Sequence, residues 1–181
     1  MEFIKKNPKI IILSGKAQSG KNECADIIRT YYNGLGLKSI VLSYAFYLKI
    51  YAKNVLGWDG SEDTKPRDFL QQVGVELIKN KINPNMLIDR AIDDIKVYSY
   101  FYDVIVISDA RFVDEINVIK NNFSNVSVIH ILGKENRLTF DQQNHSTETG
   151  LDGYDDYDFV INNDGSREDL RNKLFYLLEE V

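Results

Sequence analysis

The segment Gly15-Lys16-Ala17-Gln18-Ser19-Gly20-Lys21-Asn22 carries the most specific chemistry in this chain. It fits G-x-x-x-x-G-K-[ST] at every specified position but the last, where Asn22 replaces a hydroxyl residue. Glycines at the two ends let successive backbone N–H groups turn inward on an anion. A following helix N-terminus adds partial positive charge, and Lys21 supplies a full one for β- and γ-phosphates. The pattern calls for a nucleotide phosphate chain with its Mg²⁺, held by Gly15, Lys16, Ala17, Ser19, Gly20, Lys21, Asn22 and the adjoining Glu23. The amide oxygen of Asn22 can reach the metal directly or through water. It is a different ligand from a hydroxyl, so the substitution bears on metal affinity rather than on phosphate binding.

Other polar residues stand at the end of an apolar run. Asp103 to Ser108 reads DVIVIS, and Asp109 and Arg111 follow directly. Asp109 suits a metal or a substrate, and it equally suits the N-cap of the next helix. Arg111 suits phosphate, but it also stands four residues before Glu115, a helix pairing worth about 0.2–0.5 kcal/mol. Arg67 and Gln71 share this spacing and so one helix face. The forked guanidinium of Arg67 matches a phosphate, though a first-turn arginine is ordinarily solvated. His145 has no second His or Cys nearby and reads as a hydrogen-bonding residue, while His130 falls within a strand pattern, so no zinc is expected. The single cysteine, Cys24, excludes an intramolecular disulfide and fits a reducing cytoplasm.

Residues so far apart need a frame. Lys9 to Ser14 is a short Ile-rich run that reads as a buried parallel strand leading into the glycine loop. Cys24, Ile27, Ile28 and Tyr31 then give a helix ending near Asn33-Gly34. Ser39 to Ser43 fits a second strand and Tyr47 to Val55 a helix. A helix opening at Pro66 would bury Leu70, Val73 and Leu77, and one from Pro84 would bury Ile88, Ala91, Ile92 and Ile95. Strands follow at Asp103 to Ser108 and Val126 to Leu132, separated by a helix with Phe112, Ile116 and Ile119 on one side. A last strand, Phe159 to Asn162, precedes a helix marked by Leu170, Leu174 and Leu177. This alternation predicts an α/β fold with a parallel sheet of about five strands.

At 181 residues the chain suits one domain, 1–181. The apolar run Ile10 to Leu13 is too short for a signal h-region or a membrane span. A formal net charge of −5 argues against binding to a nucleic-acid polymer through a general basic field, so an anionic ligand must meet a local positive site. Gly133 to Asp158 shows no lasting period, as expected of a lid. It holds Lys134 and Arg137 against seven acidic residues.

Read together, the glycine loop, DVIVISDARFVDE (Asp103 to Glu115), HSTE (His145 to Glu148) and NNDGS (Asn162 to Ser166) resemble the deoxynucleoside monophosphate kinases of bacteriophage type over nearly the whole chain. The resemblance implies a P-loop NTPase three-layer sandwich with helices on both faces of the sheet. It also implies an acceptor-binding helical region at about 44–98, a lid at about 133–158, ATP as donor and Mg²⁺ as cofactor. By this likeness Lys21, Arg137 and Asp109 are catalytic, and Asn22 and Asp109 lie near the metal. Tyr44, Lys49, Arg67, Gln71, Arg111, His145 and Glu148 face the acceptor, and Asn163 and Gly165 lie near the donor adenine. Lys49 departs from the family pattern in having Phe46, not an acid, three positions before it. The activity implied is phosphorylation of a deoxynucleoside 5′-monophosphate in a phage or prophage setting, by a monomer or a homodimer, without a membrane partner. Other small-molecule kinases of this architecture, such as a dephospho-coenzyme A or phosphomevalonate kinase, and a nucleotide-sensing module without turnover are the alternatives.

Overall fold

A computed structural model describes residues 2–133 and 144–181. Apolar, β-branched runs form five strands: β1 (Lys9–Ser14), β2 (Ser39–Leu42), β3 (Val104–Ala110), β4 (Val126–Gly133) and β5 (Phe159–Asn163). They pair in parallel in the order β2-β3-β1-β4-β5. Ile10 of β1 stands opposite Ile105 of β3 and Val126 of β4, so β1 is central. Both faces are covered, which is why these strands read as continuous apolar runs rather than alternating ones.

One face packs under α1 (Lys21–Gly34) and the C-terminal helix α7 (Arg167–Leu178), where Ile11, Leu13, Val106 and Ile131 meet Cys24, Ile28 and Leu174. The opposite face packs under α4 (Met86–Tyr98) and α5 (Val113–Asn122), where Ile10, Ile12, Ile105 and Ile107 meet Ile92, Ile95, Ile116 and Ile119. Each fully buried aliphatic side chain contributes roughly 1.5–3 kcal/mol. The expected three-layer α/β sandwich is therefore present. Because all five strands run the same way, the loops after β1 and β3 emerge side by side at the carboxyl edge of the sheet, where ligands of open α/β sheets bind.

Between β2 and β3 the chain is helical. It forms α2 (Phe46–Leu56), then α3 (Arg67–Gln71), which continues without a break into a π-helical stretch, Gln72–Ile82, and then α4. The π-helix corrects the expected buried face of Leu70, Val73 and Leu77. Leu77 is 45% exposed and Ile78 only 3%. Leu70, Gly74 and Ile78 line the cavity, and the last two lie where hydrogen bonding runs from i to i+5. A Cβ on Gly74 would meet a methyl of Leu48 at 2.9 Å, so the glycine lets this helix and α2 approach closely. A four-residue helix, α6 (Ser146–Thr149), lies in the segment before β5. No helix among the described residues is long and apolar enough to cross a membrane.

Candidate active site

The phosphate loop joins the end of β1 to the start of α1. Its terminal glycines have φ of 138° at Gly15 and 98° at Gly20, conformations that L side chains rarely adopt. Space forbids a side chain as well: a Cβ on Gly15 would run into the Ile131 carbonyl, and one on Gly20 into the Asn163 amide. Neighbouring strands hold the loop in place. The Asn163 amide donates to the Ser19 carbonyl at 3.0 Å, and Ser14 Oγ lies 2.9 Å from His130 Nδ1. The His130 ring in turn stacks on Tyr157 with centroids 4.3 Å apart. Burial, with the nearby charges of Lys21 and Lys16, lowers the His130 pKa.

Lys21 is buried and curls over the loop, donating to the carbonyls of Gly15 and Lys16, both at 2.6 Å. Burial and, after it, the charge of Arg111 lower its pKa to about 7, against the opposing charges of Glu148 and Asp109. Phosphates would supply the negative charge that this ammonium lacks.

A cavity of about 400 Å³ opens beside the loop and reaches to Leu87 and Ile88 of α4, a volume suited to a small ligand. Six cationic side chains (Lys21, Lys49, Lys65, Arg67, Lys79 and Arg111) and four acidic ones (Glu62, Asp109, Glu115 and Glu148) line it. The chain is acidic as a whole, yet this surface carries an excess of positive groups, the local site that an anionic ligand requires.

Most residues singled out from the sequence meet here. Arg111 Nη1 contacts Glu148 Oε1 at 2.5 Å and the Thr147 carbonyl at 3.3 Å. The other oxygen of Glu148 accepts the Ala17 N–H at 2.6 Å, so one buried carboxylate ties the arginine after β3 to the phosphate loop. Arg67 pairs with Glu62 at 3.0 Å, as does Lys65. Gln71 donates to Thr147 Oγ1 at 3.2 Å, linking α3 to α6. Lys49 and Tyr44 line the cavity, and Asn22 does so at its exposed rim. Tyr44 is itself buried, and its hydroxyl donates to the Glu115 carbonyl at 2.6 Å.

Other candidates stand apart from the cavity. His145 caps α6, its Nδ1 accepting the Thr147 N–H at 3.3 Å. Lys16 is exposed, 3.8 Å from Asp152, and Glu23 pairs with Arg167. Gly165 precedes Ser166, the N-cap of α7. Arg137 lies outside the described residues.

Two of the simpler sequence alternatives are corrected. Asp109 does not cap the helix that follows it. Its carboxylate accepts from Ser43 Oγ at 2.6 Å, Tyr44 N at 2.8 Å and Ala45 N at 3.1 Å, clamping the turn after β2 to the end of β3. The Arg111 side chain does not pair with Glu115 either. Glu115 takes the backbone N–H groups of Arg111 and Phe112 and so supplies the capping expected of Asp109. Sequence reasoning passed over Lys65, Lys79 and Glu115 as site residues. Lys79 lies in the π-helical stretch and lines the cavity. Glu115 had a signal in hindsight: an acid in the first turn of a helix is well placed to accept backbone N–H groups.

The loop fits a triphosphate, since its glycines leave room only for backbone and its lysine is underneutralised. No group of three His, Cys, Asp or Glu among the described residues could hold a metal. Mg²⁺ binds through one or two protein groups plus phosphates and water, and Asn22 and Asp109 are among the oxygen-bearing residues of the cavity wall that could hold it.

A model of the deoxynucleotide monophosphate kinase family matches residues 38–174. The match begins after the phosphate loop, so loop and match are separate observations. No curated protein matches the chain in sequence. Among solved structures, the chain resembles the Mycobacterium tuberculosis APS kinase CysC in complex with AMPPNP and APS, at 11% identity over 96% of this chain and 99% of that one, with a TM-score of 0.55. It also resembles shikimate kinase from Aquifex aeolicus, at 11% identity over 94% and 96%, with a TM-score of 0.52. At such identities the likeness establishes the fold.

Proposed function

The chain belongs to the deoxynucleotide monophosphate kinase family, and from that premise we propose that it transfers the γ-phosphoryl group of ATP to the 5′-phosphate of a deoxynucleoside monophosphate. The observation that carries the reading is the convergence on one cavity of the phosphate loop with Arg67 and Arg111, which come from two other segments. Donor and acceptor are both polyanions, and bringing their phosphates together requires cations from both sides.

In this reading an oxygen of the acceptor phosphate attacks the γ-phosphorus in line as the bond to the β-γ bridging oxygen breaks, with no covalent enzyme intermediate. Loop N–H groups and Lys21 hold the donor phosphates. Arg67 and Arg111 fix the acceptor phosphate, and each must exchange its present carboxylate partner for it. Helices from the 44–98 region wall the acceptor. Exclusion of water from the transfer would suppress hydrolysis of ATP. Mg²⁺, when bound, neutralises charge on the β- and γ-oxygens. Asp109 holds the turn that presents Tyr44 to the cavity. A reducing cytoplasm fits the one free thiol, Cys24, which is buried and whose pKa burial pushes up to about 12.

The test is ADP formation from Mg·ATP with dAMP, dGMP, dCMP, dTMP, the matching ribonucleotides and dephospho-coenzyme A, with Lys21→Ala as control. Lysine-dependent turnover on a deoxynucleotide is expected. Turnover confined to dephospho-coenzyme A, or ATP binding without turnover, would overturn the reading.

A further inference from the structure

The phosphate-handling groups leave one buried acid of the cavity without a partner in the reaction. Glu115, in the first turn of α5, is 7% exposed and lines the cavity wall. Its Oε2 accepts two backbone N–H groups, from Arg111 at 2.6 Å and Phe112 at 3.1 Å. Its Oε1 accepts no hydrogen bond among the described residues. The buried side-chain polar atoms that lack a partner there are confined to the Tyr32 hydroxyl, so Oε1 keeps some accessible surface, on a residue that lines the cavity. Leu48, Ile78, Ile88 and Phe112 also line the cavity, with Lys79 Nζ 3.7 Å from the Phe112 ring centroid and paired with Asp114 rather than with Glu115.

A carboxylate is a poor neighbour for a phosphate, and an unfilled acceptor in a half-closed wall costs free energy until a donor meets it. The part of a nucleotide that is flat, weakly polar and bears N–H donors is its base. We propose that Glu115 reads the base of the acceptor nucleotide, with Oε1 accepting a hydrogen bond from an exocyclic amino group. The inference rests on the cavity being the acceptor-nucleotide site. Burial supports it by pushing the Glu115 pKa up to about 8. The Arg111 N–H opposes that shift, the charge of Asp109 adds to it, and the Phe112 N–H and Lys79 oppose it. A base amino group would stabilise the ionised form that the empty cavity disfavours.

The two backbone donors make the test directional. In Glu115→Gln the amide oxygen must take the Arg111 and Phe112 N–H groups, so the amide NH₂ points into the cavity and an acceptor becomes a donor. The measurement is kcat/KM of both proteins on dAMP, dGMP, dCMP and dTMP. The wild type should prefer a base that carries an amino group. The variant should lose at least tenfold on that base, mainly through KM, while dTMP rises in rank. Glu115→Asp, which keeps the charge but withdraws the oxygen, should weaken the same base without promoting dTMP, and it serves as the test should the glutamine variant fail to fold. Wild-type preference for dTMP, an unchanged ranking, or an equal fall on all four acceptors would overturn the base-reading role while leaving the kinase reading intact. Absence of wild-type turnover on every nucleotide would overturn both.

Discussion

The two sides of the cavity are built differently. On the side proposed for the donor the anion-facing groups are mostly backbone, carried by eight consecutive residues and held by strands β4 and β5 through Asn163 and His130. On the far side they are side chains from α2, α3, the π-helix and the turns after β2 and β3, tied together by carboxylates: Glu62 on Arg67, Glu148 on Arg111 and Asp109 on the turn at Ser43. A backbone site tolerates almost no change of shape but reads only phosphate. A side-chain site can be retuned residue by residue, which is what recognition of different bases demands.

That contrast can be broken by experiment. Lys21→Ala should have the largest effect, lowering turnover by about 10²–10³-fold or more, as expected for loss of a group that stabilises transferring charge. Retained turnover in an ADP-formation assay would remove the lysine from the mechanism. Gly20→Ala comes next: with φ at 98° and the Asn163 amide in the way, it should weaken ATP binding by more than about tenfold and leave the acceptor KM unchanged, a loss of about 1.4 kcal/mol or more. Calorimetric titration with a non-hydrolysable ATP analogue checks it. Gly74→Ala is its mirror image. A new methyl against Leu48 should raise the acceptor KM several-fold without changing donor affinity, and equal effects on both substrates would erase the proposed division.

The smallest effect expected is on stability. Burial raises the folded-state pKa of Glu115 from its ordinary 4.5 to about 8. The folded protein then holds a proton that the unfolded chain has released, and the associated stability, full below about pH 4.5, is lost as pH rises through about 8. Lys21 shifts the other way, but its contribution is common to both proteins compared. The Tm of Glu115→Gln relative to wild type should therefore rise between pH 5 and pH 8, and a constant difference would show that Glu115 does not titrate in that window.

Much of the frame was legible in the residues because it rests on local rules. Ile-rich runs bounded by turns marked all five strands, and the apolar positions of α4, Ile88, Ala91, Ile92 and Ile95, are all buried. Where local rules break, the reading slipped. Nothing in Leu70 to Ile82 announces i to i+5 bonding, so the inward face was assigned to Leu77 instead of Ile78. Glu115 took the capping role that Asp109 equally suited, because the approach of the Ser43 turn claims the Asp109 carboxylate.

By itself, the sequence determined the phosphate loop, since eight contiguous residues carry both the chemistry and the backbone freedom it needs. It also determined the parallel α/β frame, since burial on both faces writes itself as uninterrupted apolar strands. Only the tertiary structure decided that Glu148 bridges Arg111 and Ala17, that Lys65 and Lys79 join the cationic wall, and that Glu115 lines the cavity. Those contacts join segments tens of residues apart, and their geometry follows from how helices pack on the sheet, which no local spacing records.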